Sequence, residues 1–227
     1  MSTVKLNEYG YVKLIKAWGD ESEIIESARM STGGDFKGWD KDFNLLKFLY
    51  THKHETPFEF VGMTFEIKAP IMVFREWHRH RTMSYNEASA RYIPLPDEKY
   101  IPTKERVWKG IKEAGSNKQA GSHGDAVLTE ADLDIWLQML EDAYRATETA
   151  YQFGIQAGVP KELARLSMPV GQYSTMRVNT NLRCWLAFLR LRQAKDAQYE
   201  IRNYANVVAY FIHKHFANTM SLYESEQ

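Results

Sequence analysis

Arg75–Tyr92 reads REWHRHRTMSYNEASARY. These eighteen positions gather Arg75, Arg79, Arg81 and Arg91 with His78 and His80, although the 227-residue chain balances 29 basic against 29 acidic side chains. The positive charge is therefore a local concentration. On a solvated helix face, cations pair with carboxylates three or four positions away. Only Glu76 with Arg79 and Glu87 with Arg91 have that spacing, so at least two cations need partners from elsewhere. Ser84, Asn86, Ser89 and Glu87 interleave short polar groups with the guanidinium forks. That mixture suits a phosphorylated, heteroaromatic ligand, with forks for phosphate and hydroxyls or amides for ring edges.

Working outward, Pro70 suits the first turn of a helix carrying Ile71, Phe74 and Trp77, which delivers Arg79 to its far end. Residues 82–92 then read as loop or extended chain. Upstream, 9–16 and 58–68 alternate as strands, the second changing phase at Gly62 as a glycine bulge would. Glu21–Met30 and a segment opened by Asp40 and Asp42 read as helices, the latter stopping before Pro57. Downstream, Pro94, Pro96, Pro102 and the run at 115–124 predict a mobile surface excursion. Thr129 with Asp132 predicts a capping box opening a long helix that carries Leu133, Leu137, Leu140, Tyr144 and Tyr151 inward. Lys161–Ser167 predicts a short helix and 170–178 a strand. Asn179 or Thr180 is expected to cap a helix burying Leu182, Trp185, Leu186 and Leu189. A last helix of about 197–218 turns Ile201, Tyr204, Ala205, Val208 and Ile212 inward, and SLYESEQ reads as a frayed tail.

There is no regular βαβ rhythm and no glycine-rich phosphate loop, so the expected class is α+β. We expect a single domain, 1–227, with a small, mainly antiparallel sheet flanked by long helices, and not a Rossmann fold. A hydrophobic content of 44% supplies a core. No run approaches a membrane span and the amino terminus lacks a signal-peptide core, so a cytoplasmic location is expected. The single cysteine, Cys184, excludes an internal disulfide and any cysteine-based structural zinc site. His52, His54 and Glu55 invite a metal reading, but the nearest further histidines sit among cations, and no metal is expected. Formal neutrality argues against bulk nucleic-acid binding.

From Arg79 the pattern Arg-His-Arg, two residues, Ser, one, Asn, two, Ser, one, Arg resembles the signature of the flavin-dependent thymidylate synthases. Arg79, His80, Arg81, Ser84, Asn86, Ser89 and Arg91 fill every fixed position, and weaker similarity runs from about Tyr9 to His215. The resemblance implies reductive methylation of dUMP to dTMP, with methylenetetrahydrofolate as carbon donor, FAD as redox cofactor and NADPH as reductant. It places dUMP among Glu76, Trp77, His78, Arg79, Glu87, Ala88, Ser89, Ala90, Arg91, Arg165 and Arg192. It places FAD at Thr56, in the HETPFE turn, and at Arg79, His80, Arg81, Glu87, Asn181, Leu182, Arg183 and Ala187. Arg192 matches the family's activating arginine. A homotetramer with shared sites, Ser89 of one chain facing Arg192 of another, is implied as well.

Three positions depart from the family pattern. Glu76 stands where some members have glutamine, Ala187 where some have a polar flavin contact, and Asp196 where others have histidine. Cys184 is expected to be dispensable, because a neighbour of core-facing Trp185 has a poor setting for a thiolate. By spacing alone, Arg165, Arg183 and Arg190 could equally form solvated helix faces. Two other readings compete: an RNA-binding module using the Arg/His cluster with Tyr85 and Tyr92, and a flavin- or nucleotide-binding protein of the same fold without synthase activity.

Overall fold

The structure, a computed structural model, describes residues 2–114 and 127–226. The surface loop expected at 115–124 lies outside the described residues. In chain order come β1 (Thr3–Lys5), β2 (Tyr11–Trp18), α1 (Glu21–Arg29), α2 (Trp39–Thr51), a 3-10 turn (Thr56–Glu59), β3 (Gly62–Pro70), α3 (Ile71–Trp77) and β4 (Ser84–Glu87). There follow α4 (Lys104–Ala114), α5 (Glu130–Gln156), α6 (Lys161–Ala164), a second 3-10 turn (Arg165–Ser167), β5 (Tyr173–Asn181), α7 (Leu182–Arg192), α8 (Tyr199–His215) and α9 (Ala217–Glu224). The five strands form one sheet in the order β1-β2-β3-β5-β4, with β1–β2, β2–β3 and β4–β5 antiparallel. The fold is α+β, as expected.

Packing divides the chain into two compact units, one of residues 1–68, 75–87 and 175–227, the other of 69–74 and 88–174. In the first, the sheet buries Val12, Phe65, Ile67, Met176 and Val178. Against Phe65 stand the rings of Trp185 from α7, edge-on at 5.1 Å, and Phe211 from α8 at 5.7 Å. The Trp185 indole N–H donates to the Met63 carbonyl at 3.2 Å, so its one polar atom is satisfied inside the core. Each of the inward positions expected on α8 is buried.

The phase change at Gly62 has a different origin from a bulge. Phe58 belongs to the 3-10 turn, opened by Pro57, and the strand begins only at Gly62. The irregularity in the β2–β3 ladder lies on β2 between Leu14 and Lys16. Gly62 is required by a close crossing: a Cβ there would stand 2.4 Å from the Thr180 carbonyl oxygen and 2.7 Å from the Asn181 Cα. Beside it, the Asn179 side-chain oxygen accepts from Thr64 at 2.7 Å and from the Trp18 indole at 3.2 Å. Asn179 thus ties β2, β3 and β5 together, and the cap of α7 falls to Asn181, whose side chain accepts from the Cys184 N–H at 3.0 Å.

The carboxyl terminus also differs from expectation. SLYESEQ contributes to α9, with Met220, Leu222 and Tyr223 buried. Buried Glu21 accepts from the N–H groups of Asn218 and Thr219 at the first turn of α9, neutralising donors that a helix start leaves open.

In the second unit, Thr129 and Asp132 form the expected capping box of α5. The Tyr151 hydroxyl accepts from the Leu95 N–H, and Lys99 bridges Asp97 and Glu148. Along α5 only the ends are deeply buried, at Leu133, Tyr151 and Gly154, while Trp136, Met139 and Phe153 are exposed. The helix α4 is not legible in the sequence among the prolines around it.

Gly62→Ala is expected to lower stability by about 3 kcal/mol, because the methyl meets backbone that cannot swing aside. Chemical denaturation followed by circular dichroism measures this; a change below about 0.5 kcal/mol means the crossing can relax.

Candidate functional site

The first unit holds Thr56, the residues from Glu76 to Glu87, those from Asn181 to Ala187, and Arg192, while Ala88 to Arg91 and Arg165 belong to the second. Helix α3 ends at Trp77, whose side chain is fully buried and stacked on Phe188 of α7 at 4.6 Å. The chain then turns through 78–83 into β4. Tyr85 holds that turn: its half-buried hydroxyl lies 3.0 Å from the Trp77 carbonyl oxygen and 2.7 Å from that of His80. Burial pushes the Tyr85 hydroxyl pKa well above its ordinary range, so it stays a neutral donor. Read from sequence, Tyr85 is only a stacking candidate; its structural role depends on carbonyls that no pattern displays.

Arg192, the last residue of α7, reaches this turn. Its Nε donates to His80 Nε2 at 2.9 Å, its Nη1 to Glu76 Oε2 at 2.9 Å, and its Nη2 to the Glu76 carbonyl oxygen at 2.8 Å. Glu76 therefore pairs with Arg192, not with Arg79 as helical spacing allowed. A guanidinium has no acceptor, so His80 Nε2 must be the unprotonated nitrogen and Nδ1 carries the proton. Burial first, and the neighbouring Arg192 charge second, lower the His80 pKa to about 4, against a smaller opposing pull from Glu76.

At the other end of α7, Arg183 donates from Nε to Glu55 at 2.7 Å and from Nη1 to Glu59 at 2.5 Å. Both carboxylates flank Thr56, so the arginine's fork is spent on the turn that presents exposed Thr56. Next to that turn lies an open cavity of about 420 Å³, lined by Ser27, Leu49, His54, Thr56, Pro57 and Phe60 among others. Asn181 spends its side-chain oxygen on the cap and Leu182 is fully buried, which leaves backbone groups and the Asn181 side-chain NH2 as what these two offer a ligand. Ala187 is exposed on α7.

Arg79 and Arg81 are exposed and have no ion pair among the described residues. Arg75 is likewise exposed without an ion pair among the described residues, so three of the four arginines in the stretch are the unpaired cations that the local charge excess called for. His78 contacts the Met176 sulfur at 3.3 Å and meets Tyr85 edge-on. Glu87 ends β4 and is half-buried. In the second unit, Ala90 is buried, Ala88 and Ser89 are half-buried, and exposed Arg91 pairs with Glu162 at 3.3 Å, not with Glu87. Arg165 is exposed at the start of its 3-10 turn.

Residues 13–216 match the Thy1 family, described as thymidylate synthase complementing protein. The chain belongs to this family. It is 38% identical over 205 residues to the flavin-dependent thymidylate synthase of Thermosipho melanesiensis, covering 90% of this chain and 86% of that one. To an enzyme of the same name from Thermus thermophilus it is 39% identical over 207 residues, covering 91% and 73%. Among solved structures, the UMP/dUMP methylase PolB from Streptomyces cacaoi bound with 5-Br dUMP superposes with a TM-score of 0.82 at 26% identity, covering 98% of this chain and 97% of that one. The same methylase has been solved with 5-Br UMP, with a TM-score of 0.79. Membership makes this family member an enzyme and a flavoprotein, and leaves the RNA-module reading without support.

The low His80 pKa ties stability to pH with a definite sign. The unfolded imidazole protonates near 6.5 and the folded one near 4, so the unfolded state takes up the proton first as pH falls. The His80 contribution is complete above about pH 6.5 and is lost between there and about 4. The Tm advantage of the native protein over His80→Gln should therefore shrink across that interval. An advantage that is constant with pH means His80 is not neutral and buried.

Proposed function

We propose that this protein converts dUMP to dTMP, using methylenetetrahydrofolate as carbon donor, FAD as redox cofactor and NADPH as reductant, and that residues 1–227 act as one domain for this purpose. The observation that carries the reading is Arg192, a guanidinium immobilised by three hydrogen bonds beside the Arg79-His80-Arg81 turn. Two of its five N–H protons remain for a ligand. Placed against a uracil edge, they stabilise the negative charge that develops on the ring as C5 becomes nucleophilic. A planar fork suits that edge better than an ammonium does.

The other assignments follow the family motif position by position. Glu76, Trp77, His78, Arg79, Glu87, Ala88, Ser89, Ala90, Arg91 and Arg165 form the dUMP set, the exposed arginines serving the phosphate. Thr56, Arg79, His80, Arg81, Glu87, Asn181, Leu182, Arg183 and Ala187 would hold FAD. The donor chemistry fits such a group: unpaired guanidiniums for a pyrophosphate, the hydroxyl of exposed Thr56, and an open cavity beside it. The redox steps and the relay of the one-carbon unit are supplied by FAD when it is bound. Among the described residues no helix is long and apolar enough to cross a membrane, which is compatible with the cytoplasmic location we propose.

We further propose a homotetramer with shared sites. Exposed Trp136, Met139 and Phe153 on α5 support association, since large apolar side chains left on one helix invite a partner surface.

Incubation with dUMP, methylenetetrahydrofolate, FAD and NADPH should yield dTMP and tetrahydrofolate. Arg192→Ala should reduce turnover by about 10³-fold or more while retaining flavin absorbance, with Arg192→Lys recovering little. Wild-type protein that binds flavin yet makes no dTMP would leave a nucleotide- or flavin-binding protein without synthase activity. UMP in place of dUMP is the informative second substrate, given the methylase of similar fold.

Mixing inactive Ser89→Ala with inactive Arg192→Ala under conditions of subunit exchange should regenerate some sites with both native residues. Activity that stays absent, with exchange confirmed by native mass spectrometry, means that each chain builds its own site.

A further inference from the structure

We propose that Glu76 and His80, whose motif positions are assigned above to dUMP and FAD, have a further role as positioning residues for Arg192, the acceptors that hold its guanidinium acting on the substrate through it. The proposal rests on the dUMP reading above. Its geometric basis is that three acceptors take three of the five Arg192 protons: one carboxylate oxygen and the carbonyl of Glu76, and the Nε2 of His80. What remains is one proton on each of Nη1 and Nη2. The guanidinium is thereby fixed in plane and in rotation before any ligand arrives, a requirement for electrostatic stabilisation without reorganisation.

Two of the three acceptors are themselves held in place. The Glu76 carbonyl lies next to buried Trp77, which stacks on Phe188 of α7. The His80 ring packs edge-on against the same Phe188 at 4.9 Å, and the Tyr85 hydroxyl engages the His80 carbonyl. Phe188 precedes Arg192 by one helical turn on α7, so the surface that carries the arginine also orients its histidine. The Arg192 side chain is 14% exposed and that of Glu76 39%. The pair is partly desolvated and open on the carboxylate side.

Glutamine is the nearest exchange for Glu76 in shape. Both residues offer an oxygen acceptor to the Arg192 Nη1, so the hydrogen bond survives the exchange. Only the carboxylate lowers the net charge of the site. A positioning role predicts that geometry matters more than this charge.

The test is a double-mutant cycle read as dUMP affinity by calorimetry on full-length, flavin-loaded protein, with flavin content measured for every variant. Glu76→Ala and His80→Ala should each weaken dUMP about tenfold or more in the presence of Arg192. In the Arg192→Ala background the same changes should cost at least about threefold less, because the part of their effect that runs through Arg192 is gone. Glu76→Gln and His80→Gln, which keep an acceptor, should recover to within about threefold of wild type. If either alanine variant fails to fold, Glu76→Met and His80→Phe, which keep volume and remove the acceptor, take its place in the cycle.

Penalties that persist undiminished in the Arg192→Ala background mean direct ligand contact and overturn the proposal. So do single variants with wild-type affinity, and so does a loss of flavin that fully accounts for the weaker dUMP binding. Wild-type protein that does not bind dUMP, or Arg192→Ala that binds it normally, overturns the substrate reading itself, and the proposal with it.

Discussion

The backbone crossing at Gly62 is the constraint on which the first unit depends. Strand β3 can lie against the end of β5 only if no side chain stands between them, and the Val61 carbonyl can then accept from the Leu182 N–H at 2.8 Å. That contact sets where α7 begins. The same few residues define the end of the 3-10 turn that carries Thr56, so the turn and the helix start are fixed relative to each other by backbone alone. Side chains then refine this: Asn179 joins three strands and Asn181 caps the helix.

Once its start is fixed, α7 determines the placement of two arginines with opposite duties. Arg183 and Arg192 are nine residues apart, roughly 13.5 Å along the axis and about half a turn apart in direction. The first is consumed by Glu55 and Glu59 and acts as a strut for the Thr56 turn. The second faces Glu76 and His80 with protons to spare. A helix whose interior is Trp185, Phe188 and Leu189 is rigid enough to hold both ends, because those rings are packed against Phe65 and Trp77.

Much of this is legible in the sequence where a local rule governs. The helix at Glu21, the capping box at Thr129, the helix after Pro70 and the inward stripe of α8 depend on neighbours in the chain, and they stand where periodicity and capping rules put them. The failures share a cause. Asn179 reads as a cap because its real partners, Trp18 and Thr64, are more than a hundred positions away. The end of the chain reads as frayed because the stabilising group is Glu21, almost two hundred residues upstream. Helical spacing pairs Glu76 with Arg79 and Glu87 with Arg91, but Glu76 meets Arg192 and Arg91 meets Glu162. Local charge counting finds that cations are in excess, without saying which of them the fold will satisfy.

That sorting of cations carries a functional argument. In a chain of zero formal net charge there are enough carboxylates to pair every arginine, and the fold does pair Arg29, Arg91, Arg177, Arg183 and Arg192. Arg75, Arg79, Arg81 and Arg165 are exposed and left without a carboxylate among the described residues, and of these Arg79 and Arg81 stand together, with only His80 between them on the turn held by Tyr85. Two neighbouring guanidiniums repel each other, at about 1 kcal/mol or less across water. A fold gains nothing from that repulsion on its own account. It becomes favourable when a polyanion arrives, since phosphate oxygens take up both forks with charge-assisted, bidentate bonds without displacing a resident carboxylate. The turn therefore stores a small electrostatic penalty in the free protein, beside an Arg192 that Glu76 and His80 already hold.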